Sequence, residues 1–346
     1  MKTAVLTGIR SMKIVDRPTP AIVRDNDVLI RMVTVGVCGS DIHYYTTGRI
    51  GSQVVNYPFA VGHECAGIIE KTGKDAGLLK PGMAVTIDPA MHCGECDQCR
   101  SGRHHTCRTT QFLGCPGQAD GCLSEYIVMP SYCCFPWPSG YPMDQAAAIE
   151  PLSIGYYTVS RADDLKNKTA VILGFGPIGM SVLFSAQQTG LKQVFVTDKL
   201  DYRLNIAKAN GATDVLNPLH TDVVKAINTA VPLQADVIFE CCGQQDAITQ
   251  AIEMLKPGGK LVITGIPETD TIHFNMDLLR RKELTIINIR RQVNCVGPAI
   301  RLATSGTINL ASMITHTFPF SHTQAAFDLV AGYHDQVMKA VIDFRI

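Results

Sequence analysis

Four cysteines, Cys93, Cys96, Cys99 and Cys107, follow the pattern C-x2-C-x2-C-x7-C on one short stretch. Thiolates this close together can form the tetrahedral sulfur cage of a closed structural zinc site. An iron–sulfur cluster is the competing reading. The ferredoxin-type run, however, has a shorter last gap and a proline after its fourth cysteine, whereas Cys107 is followed by Arg108. Upstream, Cys38 lies in Gly36-Val37-Cys38-Gly39-Ser40-Asp41-Ile42-His43-Tyr44, and His63 and Glu64 lie in Gly62-His63-Glu64-Cys65-Ala66-Gly67. A thiolate, an imidazole and a carboxylate from two segments make a three-donor zinc site with an open position, the catalytic arrangement. Glu150 stands in Ala148-Ile149-Glu150-Pro151-Leu152, where an unpaired buried carboxylate would be costly. A metal or its bound water would satisfy it; a salt bridge at a domain interface is the alternative.

A second kind of chemistry is written further along. Gly174-Phe175-Gly176-Pro177-Ile178-Gly179 follows an apolar run, Val171-Ile172-Leu173, and opens a helical pattern. In that order the first glycine allows a tight turn, the second lets a pyrophosphate approach the backbone, and the third permits close helix–strand packing. The helix N-terminus offers its free N–H groups to phosphate. Asp198, at the end of the next strand pattern, is where an acidic residue binds ribose hydroxyls, and its charge would repel a 2′-phosphate, favouring NAD over NADP. Arg203 is a candidate contact to the adenosine ribose, with an exposed helix arginine as the plainer alternative.

The elements that must position these residues divide the chain. A length of 346 residues suggests two domains. Residues 1 to about 150 carry short β-branched runs, such as Val28-Leu29-Ile30-Arg31-Met32-Val33, between glycines and prolines, which read as strands and turns. From Ile154 to about Leu284 strands alternate with helices. The strand runs are Val171–Leu173, Val194–Val196, Val237–Phe239 and Leu261–Ile263; the helices are Ile178–Thr189 and Tyr202–Ala209. Fully apolar strands between helices predict a parallel sheet covered on both faces, an α/β class. Gly258-Gly259 reads as a turn before a strand. The chain ends in a strand pattern, Lys339–Phe344, expected to rejoin the first domain.

Composition narrows the function classes. Lys plus Arg and Asp plus Glu number 31 each, so no net field recruits nucleic acid or an anionic membrane. No basic segment followed by a long apolar run opens the chain, so no signal peptide is expected, and no stretch has the apolar length of a membrane span. Thirteen cysteines without a secretory signal imply a reducing compartment, the cytoplasm, where thiols serve metals and cores.

Together these residues resemble the zinc-containing medium-chain dehydrogenases, and among them the sorbitol, xylitol and related polyol dehydrogenases. The resemblance spans essentially the whole chain. It rests on Val37–Tyr45 with Gly48-Arg49-Ile50-Gly51, on Gly62-His63-Glu64, on the four-cysteine lobe, on Glu150-Pro151-Leu152, on Gly174–Gly179 and on Thr315-His316. It implies a GroES-like, β-rich catalytic domain, residues 1–153 and 286–346, around a Rossmann domain, residues 154–285. It implies two zinc ions per chain and NAD. Cys38, His63 and Glu64 would face the catalytic zinc. Glu150 matches the position where the polyol branch has Glu and other alcohol dehydrogenases a cysteine ligand, and would bind the metal itself or its water. Ser40 and His43 match a proton-relay pair, Tyr44 and Arg291 match substrate-pocket positions, and Phe112 an apolar pocket wall. For Ser40 a turn serine, and for His43 a surface or core histidine, remain the alternatives.

The implied reaction is oxidation of a secondary alcohol of a small polyol to a ketose. Near Arg291 the sequence departs from the sorbitol branch, which has aromatic residues on both sides of that arginine; here the run is Ile289-Arg290-Arg291-Gln292-Val293-Asn294. A sugar acid or sugar phosphate therefore stays open as substrate. Strand alternation would send only one of the two arginines into the pocket. A non-catalytic NAD-binding protein is the remaining rival, and the full set of metal ligands argues against it. Relatives of this kind associate through the edge strand of the Rossmann sheet, here Leu284–Ile289, so a homodimer or homotetramer is expected.

Overall fold

The β-branched run near the N-terminus forms the strand Asp27–Gly36, buried along its length except at Arg31. A strand buried on both faces belongs at the centre of a sheet. In the computed structural model, which describes residues 1–267 and 269–346, its neighbours account for this burial. The strand Glu64–Thr72 runs antiparallel along it. The strands Tyr126–Pro130 and Lys339–Asp343 pair with its two ends, at residues 27–31 and 34–36. Ala84–Ile87 and Cys134–Pro136 extend the sheet beyond Glu64–Thr72, and Ile314–Pro319 extends it beyond Lys339–Asp343. The core beneath includes Leu6, Ile30, Met32, Tyr45, Ile87 and Phe327. Insertion of the C-terminal strand Lys339–Asp343 beside Gly36 makes this first unit discontinuous: it comprises Met1–Glu150 and Leu310–Ile346.

The second unit, Pro151–Asn309, holds a six-stranded sheet. Its spatial order is Asp214–Leu216, Gln193–Thr197, Thr169–Leu173, Ala235–Glu240, Leu255–Ile263 and Thr285–Asn288, with every pairing parallel. Numbered along the chain this is 3-2-1-4-5-6, the doubly wound dinucleotide-binding order, whose ligand crevice opens where the first and fourth strands diverge. Those two strands end at Leu173 and Glu240, paired with each other. The helix Pro177–Gln187 follows the glycine-rich turn, with proline in its first turn where no N–H partner is needed.

Three expectations need correction. The return to the first unit comes at Leu310, not at residue 286, because Thr285–Asn288 pairs with Leu255–Ile263 and stays in the second sheet. Arg290 and Arg291 lie beyond the end of that strand, so strand alternation does not decide which turns inward; Arg291 adopts φ +53°. Gly258-Gly259 falls within Leu255–Ile263, where the register with Ala235–Glu240 shifts and Gly258 takes φ +73°. Thr285–Asn288 does form one edge of the sheet. Among the described residues no helix is long and apolar enough to cross a membrane.

Candidate metal centre and dinucleotide site

Cys38 caps the helix Gly39–Thr47 in extended conformation, and Asp41 in the first turn accepts the Cys38 N–H at 3.2 Å. The other oxygen of Asp41 accepts the Gly62 N–H at 3.1 Å and stands 3.4 Å from His63 Nδ1. One fully buried carboxylate thus ties the helix to the segment that ends in His63 and Glu64. It orients the imidazole, as carboxylates behind metal-binding histidines do. The Sγ of Cys38, a ring nitrogen of His63 and a carboxylate oxygen of Glu64 all lie within 4.8 Å of one another. Burial works against charge on His63, but Asp41 and Cys38 outweigh it and hold its pKa well above 6.5.

The surroundings of this cluster are polar and buried. The Ser40 hydroxyl donates to Cys38 Sγ at 3.3 Å and lies 3.4 Å from His63 Nε2. Glu64 is ion-paired with Lys339, whose ammonium also donates to the Val37 carbonyl at 3.3 Å; both side chains are about 1% exposed. Glu150 lies outside the three-donor cluster but in its field. Burial raises its pKa from 4.5 to about 7, His63 and Lys339 pull it down, and Glu64 and Asp88 push it up. The Phe112 ring sits 5.3 Å from the His63 ring. Tyr44 is buried and its hydroxyl donates to Gln53 Oε1 at 3.2 Å. Ser40 faces Cys38 and His63, and the His43 ring makes no hydrogen bond among the described residues.

The four-cysteine lobe is assembled as a sulfur cage. Cys93, Cys96, Cys99 and Cys107 place their sulfurs within 4.8 Å of one another, with Sγ–Sγ distances of 3.5 Å for 93–107 and 3.9 Å for both 93–99 and 96–107. A tetrahedron of bonds of about 2.3 Å to zinc has edges of about 3.8 Å, so the cage fits that ion. Backbone N–H groups of Glu95 and Cys96 pull the Cys93 thiol down to about 6, toward the thiolate a metal needs. The Arg108–Asp97 pair, at 2.5 and 2.9 Å, closes the loop.

In the second unit the glycines meet the steric demands set for them. A side chain on Gly174, at φ +89°, would stand 2.6 Å from Cys242 Cβ, and one on Gly179 would stand 2.1 Å from the Gly174 carbonyl oxygen. Gly176 meets only Arg203 Nη1, at 3.5 Å, leaving its face open for close approach. Asp198 accepts the Phe175 N–H at 2.7 Å and the Leu200 N–H at 2.9 Å, and Arg203 Nη1 lies 3.8 Å away. The acid therefore shapes the turn that Pro177 and Ile178 continue. Glu240, fully buried at the end of its strand, accepts the N–H groups of Cys242 and Gly243 at 2.7 and 2.6 Å and holds the loop against Gly174.

Comparison with known proteins fits both halves. Residues 24–139 match the alcohol dehydrogenase GroES-like domain, and residues 177–305 match the zinc-binding dehydrogenase domain. The chain belongs to the zinc-type alcohol dehydrogenases. Sorbitol dehydrogenase of Bacillus subtilis is 35% identical over 99% of this chain and 97% of its own. L-idonate 5-dehydrogenase of Vitis vinifera is 33% identical over 95% and 91%. The crystal structure of an Escherichia coli oxidoreductase of unknown specificity superposes with a TM-score of 0.92, at 30% identity over 99% and 98%.

For a zinc-type alcohol dehydrogenase, the three-donor cluster and the cysteine cage are both chemically apt to hold zinc. Three residues of this dehydrogenase escaped the sequence reading. Asp41 stands at the spacing of a capping box behind Cys38. Lys339 and Glu240 are charges at the ends of otherwise apolar strands, Ala340-Val341-Ile342 and Val237-Ile238-Phe239, a setting that signals a buried partner.

Proposed function

We propose that this alcohol dehydrogenase is NAD-linked and oxidises a secondary hydroxyl of a linear polyol to a ketose. The observation that carries the reading is the cluster of Cys38, His63 and Glu64 with a buried acid, Glu150, beside it. Zinc held there would supply Lewis-acid polarisation of the substrate hydroxyl and lower its pKa, and NAD would supply a hydride acceptor at the nicotinamide. Asp41 keeps the His63 ring in place, and Ser40 stands where it can take the departing proton. Phe112 walls the site next to His63. Glu150, neutral or charged near pH 7, is suited to exchange protons with water at the site.

NAD is favoured over NADP because Asp198 sits against the glycine turn, where a 2′-phosphate would meet its charge. The sorbitol dehydrogenase relative favours the polyol. A sugar acid is the second reading, favoured by the half-buried Arg291 and by the idonate dehydrogenase relative. The thirteen cysteines, all free thiols, suit a cytoplasmic enzyme, and the edge strand Thr285–Asn288 suits a homodimer or homotetramer. The test is kcat/KM for sorbitol, xylitol, aldonic acids and sugar phosphates, in wild type and Arg291→Ala. Polyols should lead, with a modest loss in the variant. A hundredfold preference for the acids that collapses in Arg291→Ala would replace the polyol by a sugar acid, since a guanidinium clamp on a carboxylate is lost outright on truncation.

A further inference from the structure

The ion pair between Lys339 and Glu64 reaches across an intervening strand. Glu64–Thr72 and Lys339–Asp343 flank Asp27–Gly36, with Gly36 opposite Glu64 on one side and Val341 on the other. A Cβ on Gly36 would stand 2.3 Å from Glu64 Oε2. The missing side chain therefore opens the passage through which the ammonium meets the carboxylate. Lys339 itself is seated by an irregularity in the next strand. Register between Ile314–Pro319 and Lys339–Asp343 shifts between Ile314 and His316. There the Thr315 hydroxyl accepts the Met338 N–H at 3.0 Å and donates to the Lys339 carbonyl at 3.2 Å. His316 braces this point, with Nδ1 at 2.9 Å from Thr315 Oγ1 and Nε2 at 3.1 Å from Asp335.

We propose that Lys339 is a positioning residue that limits the grip of Glu64 on the catalytic metal, and that the bulge at Thr315 fixes it in that place. The inference rests on the reading of Cys38, His63 and Glu64 as a zinc site. With Oε2 engaged by the ammonium, the negative charge that Glu64 can offer a cation is partly taken up by Lys339. The buried ammonium also sets one positive charge beside the dication, offsetting part of the pull of the buried acids Asp41, Glu64 and Glu150. Both effects loosen the metal, and the nearby ammonium favours an oxygen ligand that can shed its proton.

The experiment measures zinc retention against a chelator, with both zinc ions counted, in wild type, Lys339→Met and Lys339→Arg. Methionine keeps an apolar stem and removes the charge. It should tighten the catalytic zinc by tenfold or more and leave the cysteine-cage zinc unchanged, while arginine stays near wild type. Cobalt in the catalytic site should show shifted visible bands in the methionine variant and wild-type bands in the arginine variant. If Lys339→Met does not fold, Thr315→Val decides, with an expected tightening of about threefold. Unchanged or weaker retention with an unaltered cobalt spectrum overturns the role of Lys339. A wild type that holds one zinc, lost in Cys99→Ser, overturns the zinc reading of the cluster and this inference with it.

Discussion

Replacing Glu150 by glutamine asks how much the buried pocket charges for a carboxylate. Burial lifts the Glu150 pKa from 4.5 to about 7. For an acid whose pKa is raised by folding, the native state holds the proton longer than the unfolded chain. Stability is then greatest below pH 4.5, falls as pH rises toward 7, and is flat above. A rise of that size corresponds to about 3 kcal/mol. Glutamine has the shape of the protonated acid and does not titrate. Wild type and Glu150→Gln, both depleted of the catalytic metal, should therefore be equally stable at pH 4 and diverge until the variant is about 3 kcal/mol more stable at pH 8. Urea unfolding at half-unit pH steps gives the difference curve. Added zinc should shrink it, because a dication nearby favours the carboxylate. A flat difference between pH 4 and 8 would show that Glu150 ionises as it does in water and would refute the argument from burial.

Other residues give shorter tests. Asp41→Asn should weaken zinc at the catalytic site by about 10- to 100-fold, read by chelator competition, since its charge orients His63. Cys99→Ala should cut zinc from two ions to one per chain by elemental analysis and lower the melting temperature, because three thiolates do not close the cage. Asp198→Ala should weaken NADH by about tenfold or more, through lost charge-assisted bonds, and narrow the gap to NADPH, as NADH fluorescence titration would report.

Residues that act through a short contiguous segment could be found in the sequence. The cysteine cage is one loop, the glycine turn is one strand–turn–helix, and Cys38 and His63-Glu64 are each one run. What escaped depends on strands distant in the chain. Lys339 meets Glu64 only because the C-terminal strand pairs beside Gly36, and nothing local to Lys339 names that partner. The boundary at residue 286 failed for a related reason. Thr285–Asn288 has the apolar, β-branched character that suits either sheet, and pairing with Leu255–Ile263 decides it. Ser40 lies against Cys38 and His63, a placement that its position two residues after Cys38 does not by itself announce, because His63 arrives from another segment.

The balance of buried charge explains why the first unit calls for a cation. Asp41, Glu64 and Glu150 are buried acids, and Cys38 becomes a fourth negative group when it binds a metal. Against them stand Lys339 and a His63 whose charge depends on the same acids. Without a metal, burial raises the Glu150 pKa, and against the opposing effect of burial Asp41 and Cys38 raise that of His63, so both groups hold their protons more firmly than in water. A dication replaces those protons at one stroke, and zinc affinity here should therefore climb with pH as they are released. On the proposed zinc reading, folding would carry part of this electrostatic strain in advance, so that the pocket would be arranged for charge before a substrate hydroxyl arrives, which is where preorganised sites gain their rate.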